Sequence, residues 1–286
     1  MSGVLGLRRV VPADRVVARR VRRDPVLAAC LVVIAALVLV ALFAPLLAPY
    51  DPDQPNILAS NEGPSSAHVL GTDSVGRDIL SRIIYGARLS LLGPALVVAA
   101  ATVAGVATAL VAAWRGGRAD GLIARLVDIL FAFPGLIFAI LAVAMFGTGL
   151  VAPVVALSIA YTPYIARVVR SAAIKERNLP YVAALHVSGI SGTRICLRHL
   201  LPNLLPYVAV QAAVSFGYAL VDLSALSYLG LGVQPPDAEW GRMIADGQSA
   251  ILGGQPQASL FAGLAVVITV IAFNLLADRL LRREAS

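Results

Sequence analysis

Charge is what this chain has least of. Only 14% of its 286 residues are charged, whereas 59% are hydrophobic, which is more apolar side chain than one soluble core can hide. A lipid bilayer therefore has to act as the solvent. Lysine occurs once, at Lys175, and Ile174 precedes it. The phosphate cradle G-x-x-x-x-G-K-[ST] is thus absent, and so is the ATP hydrolysis that depends on it. Gly230 and Gly232 follow Leu229, but the third glycine of a dinucleotide turn is missing and no strand is predicted to lead into them. The three histidines, His68, His186 and His199, are far apart, and no His-x-x-x-His or Cys-x-x-Cys pair serves zinc. Cys30 falls in an apolar run and Cys196 in a polar one, so the two are not expected to pair. No Ser-His or Asp-Asp pair stands out in the apolar runs, which puts an intramembrane enzyme far behind. No internal repeat is visible, which weighs against an inverted-repeat secondary transporter.

Long apolar runs are what the chain does have. Five, at 27–47, 91–114, 126–146, 207–229 and 260–276, match the roughly 20 residues needed to cross about 30 Å of hydrocarbon. A sixth, 151–168, is shorter and carries Tyr161, Thr162, Pro163 and Tyr164, which suits a helix packed inside a bundle. The pattern predicts an all-α polytopic membrane protein with six transmembrane helices. Its parts are a basic segment (1–26), a first span (27–48), an outside loop with an amphipathic helix (49–90), a five-helix core (91–280) containing a polar loop at 169–205, and a short tail (281–286).

Arginine placement sets the expected orientation, because cytoplasmic loops retain an excess of basic residues. Arg8, Arg9, Arg15, Arg19, Arg20, Arg22 and Arg23 precede the first span. Arg115, Arg118 and Arg125 follow the second, Arg167, Arg170, Lys175, Arg177, Arg194 and Arg198 follow the fourth, and Arg279, Arg282 and Arg283 close the chain. The opposite side has only Arg77, Arg82, Arg88 and Arg242. Both termini are predicted to be cytoplasmic, and the net charge of +7 is accounted for without nucleic-acid binding. The first run is about twice the length of a signal-peptide core and lacks a clean small-x-small site, so it reads as a retained helix.

Within the outside loop, residues 50–71 have the Pro, Asp, Asn and Ser content of a solvated segment. From Thr72, as an N-cap with Asp73 in the first turn, the pattern Ile79, Leu80, Ile83, Ile84 and Ala87 predicts an amphipathic helix against the membrane surface. Ala101, Gly105, Ala109 and Ala113 recur every four residues in the second span and allow a neighbouring helix to approach closely.

The polar loop around YVAALHVSGISGTRICLRHLLPN, residues 181–203, is a basic island between apolar runs. Residues 178–185 suit a short helix, Gly189 and Gly192 break it, and 194–201 suit a second helix ended by Pro202. The pair would form a knob presenting Tyr181, Leu185 and His186 outward for a partner to grip. A solvated connector whose basic residues only set topology is the plainer alternative.

Five segments in order carry a resemblance: HVLGTDSVGRDILSRIIYGARLSL, VDILFAFPGLIFAI, the loop just described, LSYLGLGVQPPDAEWGRMIADG and GLAVVITVIAFNLLADRL. Together they cover most of the chain, which resembles the binding-protein-dependent permeases of the dipeptide, oligopeptide and nickel branch of ABC importers, and most of all the second permease of each pair. The resemblance implies a type I ABC-importer permease fold in a bacterial inner membrane. It also implies a homologous permease, two ABC ATPase domains carrying ATP and Mg, and an extracytoplasmic substrate-binding protein as partners, with no catalytic residue, metal or cofactor on this chain. It makes the loop an ATPase-coupling element through Tyr181, Val182, Ala183, Ala184, Leu185, His186, Gly189, Leu201 and Pro202. Ala183 stands where the family commonly has an acidic residue, His186 where it has arginine and Ser188 where it has leucine. The expected cargo is a dipeptide or oligopeptide; nickel chelates, haem and glutathione travel through the same branch. An ATP-independent channel or secondary transporter is the rival class.

Polar groups within spans are costly and mark candidate pathways. On a helix of 3.6 residues per turn, Gln211, Ser215, Tyr218 and Asp222 share one face, and Tyr161 and Tyr164 join them from the fourth span as the expected lining of a translocation path. A helix-to-helix hydrogen-bond network is the alternative use of these residues. Asp128 is expected to be an anchor or ion-pair partner close to Arg125. The segment 232–258, with Gln234-Pro235-Pro236 and Trp240, is expected at the outer rim, where the resemblance implies that the binding protein delivers substrate; capping the bundle mouth is the structural use, and the two are compatible.

Overall fold

A computed structural model of the chain describes residues 24–284. The basic segment before residue 24 and the last two residues, on which part of the orientation argument rests, lie outside the described residues. Helix α1, Pro25–Leu42, opens with the Asp24 carboxylate accepting from the N–H groups of Val26 and Leu27, a cap worth about 1 kcal/mol. Pro at the first helical position suits it further. After Phe43 a short turn, α2 (Ala44–Leu47), ends the expected first span.

The long outside segment folds differently from expectation. No helix starts at Thr72. Instead Asp73 accepts from the N–H groups of Val75 and Arg77, and Gly76 adopts a φ of 81°, so the chain turns back before a helix begins. Asp78 is the N-cap, its carboxylate accepting from Ser81 N at 2.7 Å, and α3 then runs unbroken over Ile79–Arg115. The amphipathic helix and the second span are therefore one element of 37 residues, about 55 Å long against a hydrocarbon core of about 30 Å. Pro94 lies inside it without breaking it.

The third span is broken. Helices α4, Gly117–Phe131, and α5, Gly135–Phe146, meet at 77° across Pro134. Proline removes a backbone donor and disfavours the helical region for the preceding residue, Phe133, which the apolar run alone conceals. Helix α6, Val151–Arg177, is longer than its apolar run and tolerates Pro163. Thr162 Oγ1 donates to the Ser158 carbonyl at 2.8 Å and Ser158 Oγ to the Val154 carbonyl at 2.6 Å, so these hydroxyls are satisfied inside the helix. After the short α7, Pro180–Val187, helix α8 covers Gly192–Tyr228, with a π-turn at Cys196–Leu200. Pro202 thus does not end a helix; it stands near the start of the longer α-helical run Leu201–Tyr228. Two short helices, α9 (Trp240–Asp246) and α10 (Gln248–Leu252), precede α11, Gln257–Glu284.

Among the described residues, α1, α3, α6, α8 and α11 are each long and apolar enough to span, and α4 with α5 make a sixth, broken crossing. The six-span all-α expectation holds in this form. The core lies between α3, α6 and α8. Ala101, Ala109 and Ala113 are buried there, and at Gly105 a Cβ would come within 2.9 Å of Ile165 Cβ. The four-residue ridge of small side chains is therefore what lets α3 and α6 pack closely. Cys30 and Cys196 are both buried and unpaired.

At one end the segments around residues 50–78 and 232–247 fold over the start of α3. Arg82, 2% exposed, donates to the Pro52 carbonyl at 2.9 Å and lies 3.3 Å from Asp53 and 3.7 Å from Asp73. Trp240 is 1% exposed, and its indole N–H donates to the Ile83 carbonyl at 3.0 Å. Gly86 leaves it room, since a Cβ there would stand 3.1 Å from the indole. Trp240 is consequently a core residue of a cap, one of the two uses expected for this segment. Glu239 caps α9, accepting from Gly241 N, Arg242 N and Ser90 Oγ.

Candidate functional site

Two places gather the residues singled out in the sequence. The first is the loop at the end of the bundle opposite the cap. Helix α7 ends in a left-handed glycine: Gly189 has φ 80°, its N–H donates to the His186 carbonyl, and Ile190 N reaches back to the Leu185 carbonyl at 3.2 Å. Val182 is buried, and Tyr181, Leu185, Ile190 and Leu201 pack against the main core. Tyr181 and Leu185 are thus turned inward, contrary to their expected outward display. Ala183, Ala184, His186 and Gly189 stay exposed, and Val187 most of all, at 90%. The tip is a small apolar surface flanked by the exposed Arg194 and Arg198.

Side chains that the sequence pattern did not flag hold this loop. Glu176 Oε1 accepts from Tyr181 Oη and from Asn203 Nδ2, each at 2.6 Å, which ties the entry of the loop to its exit. Partial burial and the adjoining Glu176 carboxylate push the Tyr181 phenol up to about 12, so it stays a donor at physiological pH. Trp114, at the end of α3, is surrounded: the Arg177 guanidinium lies over its ring at 5.7 Å, and the His186 ring meets it edge-on at 6.1 Å. A Cβ at Gly192 would collide with the indole. Arg177 also donates to the Ala113 carbonyl at 2.5 Å. The signal for Trp114 was present, a lone indole at the end of a span beside Arg115, but its partners are distant in sequence.

The second place is an open face of α6 and α8. Tyr161 Oη donates to Asp222 Oδ2 at 2.9 Å, so these two predicted residues do meet. The Tyr164 ring lies 5.7 Å from that of Tyr161 and is 43% exposed, and Tyr218 is 62% exposed. Gln211 and Asp222 are half-buried, whereas Ser215 is 1% exposed and faces into the packing. The four residues of α8 straddle the boundary between the open and buried sides of the helix, and Ser215 falls on the wrong one. Asp222 stands six residues from Tyr228, about 9 Å from the capped end, so it is off the middle of the span. Asp128 pairs with Arg167 at 2.6 Å in place of the expected neighbour Arg125. Among the described residues no group of three or more His, Cys, Asp or Glu side chains is placed to hold a metal ion.

A broken six-crossing helical bundle with a compact loop at one end and a folded cap at the other defines a polytopic membrane protein. Residues 101–283 match the model of the binding-protein-dependent transport system inner membrane component, and the chain belongs to that family. Residues 15–64 match the N-terminal transmembrane domain of oligopeptide transport permease C. The chain is 39% identical over 87% of its length to the dipeptide transport system permease protein DppC of Alkalihalophilus pseudofirmus, covering 82% of that protein. It is 41% identical to the di/tripeptide permease DppC of Pseudomonas aeruginosa, over 85% of this chain and 82% of that one. Identity is 39% to the glutathione transport system permease protein GsiD of Pectobacterium atrosepticum, over 92% and 87%. Among solved structures, a chain of the inward-facing MetNI methionine ABC transporter superposes with a TM-score of 0.58 at 19% identity. That match covers 72% of this chain and 97% of the other, which establishes the importer-permease fold.

Proposed function

We propose that this chain is one permease subunit of an ATP-driven importer, forming the translocation path with a homologous permease and taking short peptides from a substrate-binding protein. The observation that carries the reading is the loop at residues 178–203, whose apolar tip is exposed while its base is fixed to α3, α6 and α8. Such a knob can be seated in a groove of an ATPase and pass its displacement on without deforming. Ala183, Ala184, His186 and Gly189 form its contact surface; Tyr181, Val182, Leu185, Leu201 and Pro202 form its base. With no carboxylate at Ala183, that position offers the ATPase no ion pair, and the charged groups at hand are the exposed Arg194 and Arg198. The motor, with its ATP and Mg, belongs to the partner subunits, because the chain has no phosphate cradle.

The loop and both termini face the cytoplasm in this reading, on the arginine asymmetry, and the cap faces outward. Tyr161, Tyr164, Gln211, Tyr218 and Asp222 line the path, with Ser215 behind it. Dipeptides and glutathione, the cargoes named for the relatives, are both short peptides with free amino and carboxyl groups, and that shared chemistry is the proposed substrate class.

Affinity purification of the tagged chain from native membranes in mild detergent tests the assignment. Co-purification of a second six-span permease and P-loop ATPases is expected. Transport of peptide by the chain alone in liposomes without ATP would instead make it a carrier or channel.

A further inference from the structure

The open face does not stop at Tyr164. The Phe131 ring lies 4.4 Å from the Tyr164 ring, and the Arg167 guanidinium sits over the Phe131 ring, 4.5 Å from its centroid, at the elbow of the broken span. Arg167 in turn holds Asp128 at 2.6 Å. A continuous ladder therefore runs from Asp222 through Tyr161, Tyr164 and Phe131 to Arg167 and Asp128. Beyond it a second pair, Arg170 with Asp120 at 2.6 Å, marks the end of the bundle nearest the loop. Between them lies a cavity of about 110 Å³ lined by Thr108, Asp128, Arg167 and Arg170 among others.

Depth makes the first pair unusual. Helix α6 has 27 residues and is about 40 Å long, roughly 10 Å more than the hydrocarbon core. Arg167 is ten residues, about 15 Å, from the Arg177 end. For an upright helix with all the surplus protruding there, the Arg167 backbone sits about 5 Å inside the apolar slab, deeper than its expected place after the fourth span. Yet its side chain is 56% exposed and that of Asp128 is 62% exposed. Charges this open are costly against lipid tails at that depth, and a polar passage is the surrounding that suits them. An exposed pair is also loosely held and can exchange its members for other ions at little cost.

We infer that Arg167 and Asp128 form an exchangeable binding pair on the cytoplasmic half of the path, with Arg167 taking the carboxylate and Asp128 the ammonium of a zwitterionic peptide while Phe131 and Tyr164 flank its body. This rests on the importer reading above. Bidentate guanidinium recognition suits a free C-terminus, and the aromatic rungs accept varied side chains through apolar contact.

The test uses the assembled transporter in proteoliposomes after ATP-dependent uptake of labelled dialanine or glutathione by the unaltered complex has been established; absence of that uptake, or of the partner subunits, is a failure of the importer reading itself. In the working complex, Arg167→Gln and Asp128→Asn should each lower uptake about tenfold or more, the worth of one charged hydrogen bond, with ATPase activity retained. Independently, an Asp128→Cys variant should react with a membrane-impermeant thiol reagent added from the cytoplasmic side, and millimolar dipeptide on that side should slow the reaction. Uptake within about twofold of the unaltered complex in both substitutions would overturn the inference. So would an unreactive thiol at position 128, which would place the pair against the second permease or lipid even if uptake were lost.

Discussion

At the scale of single residues, Arg82 and Glu239 fix the cap. Arg82 is buried and donates to the Pro52 carbonyl, while Asp73 keeps its closer partner Arg77 at 2.7 Å, so replacing Arg82 costs chiefly the donor of a buried carbonyl. Arg82→Met should destabilise the protein by about 2 kcal/mol, read as lower thermal stability of the purified complex in detergent. Burial holds the Glu239 carboxyl above the ordinary carboxylate range, while the N–H groups of Gly241 and Arg242 draw it part of the way back. Folding then takes up a proton, so this contribution is full below the unfolded-state pKa and is lost as pH rises through the raised one. Melting curves from about pH 4 to about pH 8 should show the decline, and Glu239→Gln should flatten it. An unaltered pH profile in that variant would mean the carboxyl is ionised in the folded protein. Tyr161 and Asp222 make a third case. Tyr161→Phe leaves the Asp222 carboxylate without its donor, and peptide uptake by the assembled transporter should fall several-fold with assembly preserved; unchanged uptake would remove both residues from the path.

At the scale of elements, what the sequence disclosed was governed by locality. Apolar runs and the alanine-glycine ridge of α3 act through period and size, so the number of crossings and a close-packed face on α3 could be read directly, though not that α6 fills it. Asp73 and Thr72 looked like the start of a helix, because nothing local says that the Asp73 carboxylate will fold onto its own backbone. The 77° elbow was hidden because Pro134 stands in an unbroken apolar run. Pro202 misled in the other direction, since proline is tolerated in the first turn of a helix. The polar residues of α8 were legible in period, but which side of α8 is covered depends on α6 and α11, and so Ser215, expected to be open with Tyr218 and Asp222, is buried. The joint between α3 and the loop was invisible for the same reason. Trp114→Ala should remove the Arg177 and His186 contacts and loosen that joint by about 2–3 kcal/mol. The expected result is ATP hydrolysis at its former rate with less peptide moved per ATP, largely restored by Trp114→Phe. Proportional loss of both activities would make Trp114 a folding residue only.

At the scale of the whole molecule, the topology is open to a direct check. A C-terminal fluorescent-protein fusion should fluoresce, and an alkaline-phosphatase fusion within the segment near residue 60 should be active, because the two points are expected on opposite sides of the membrane. The reverse pattern would invert the orientation and with it the assignment of the loop to the ATPases.

Helix α3 gives this architecture a further property. It is about 55 Å of uninterrupted helix, seated at one end under Arg82 and Trp240 and at the other against Arg177 and Gly192. A rod of that length pivoting by about 6° shifts one tip relative to the other by about 6 Å, more than one helical turn. Motion forced on the tip beside the loop is therefore felt at the cap without any intervening chain of small adjustments. In the proposed importer the same mechanics run in reverse: a binding protein resting on the cap would push back on the ATPases, so the arrival of cargo on one side would be sensed on the other by a single stiff lever.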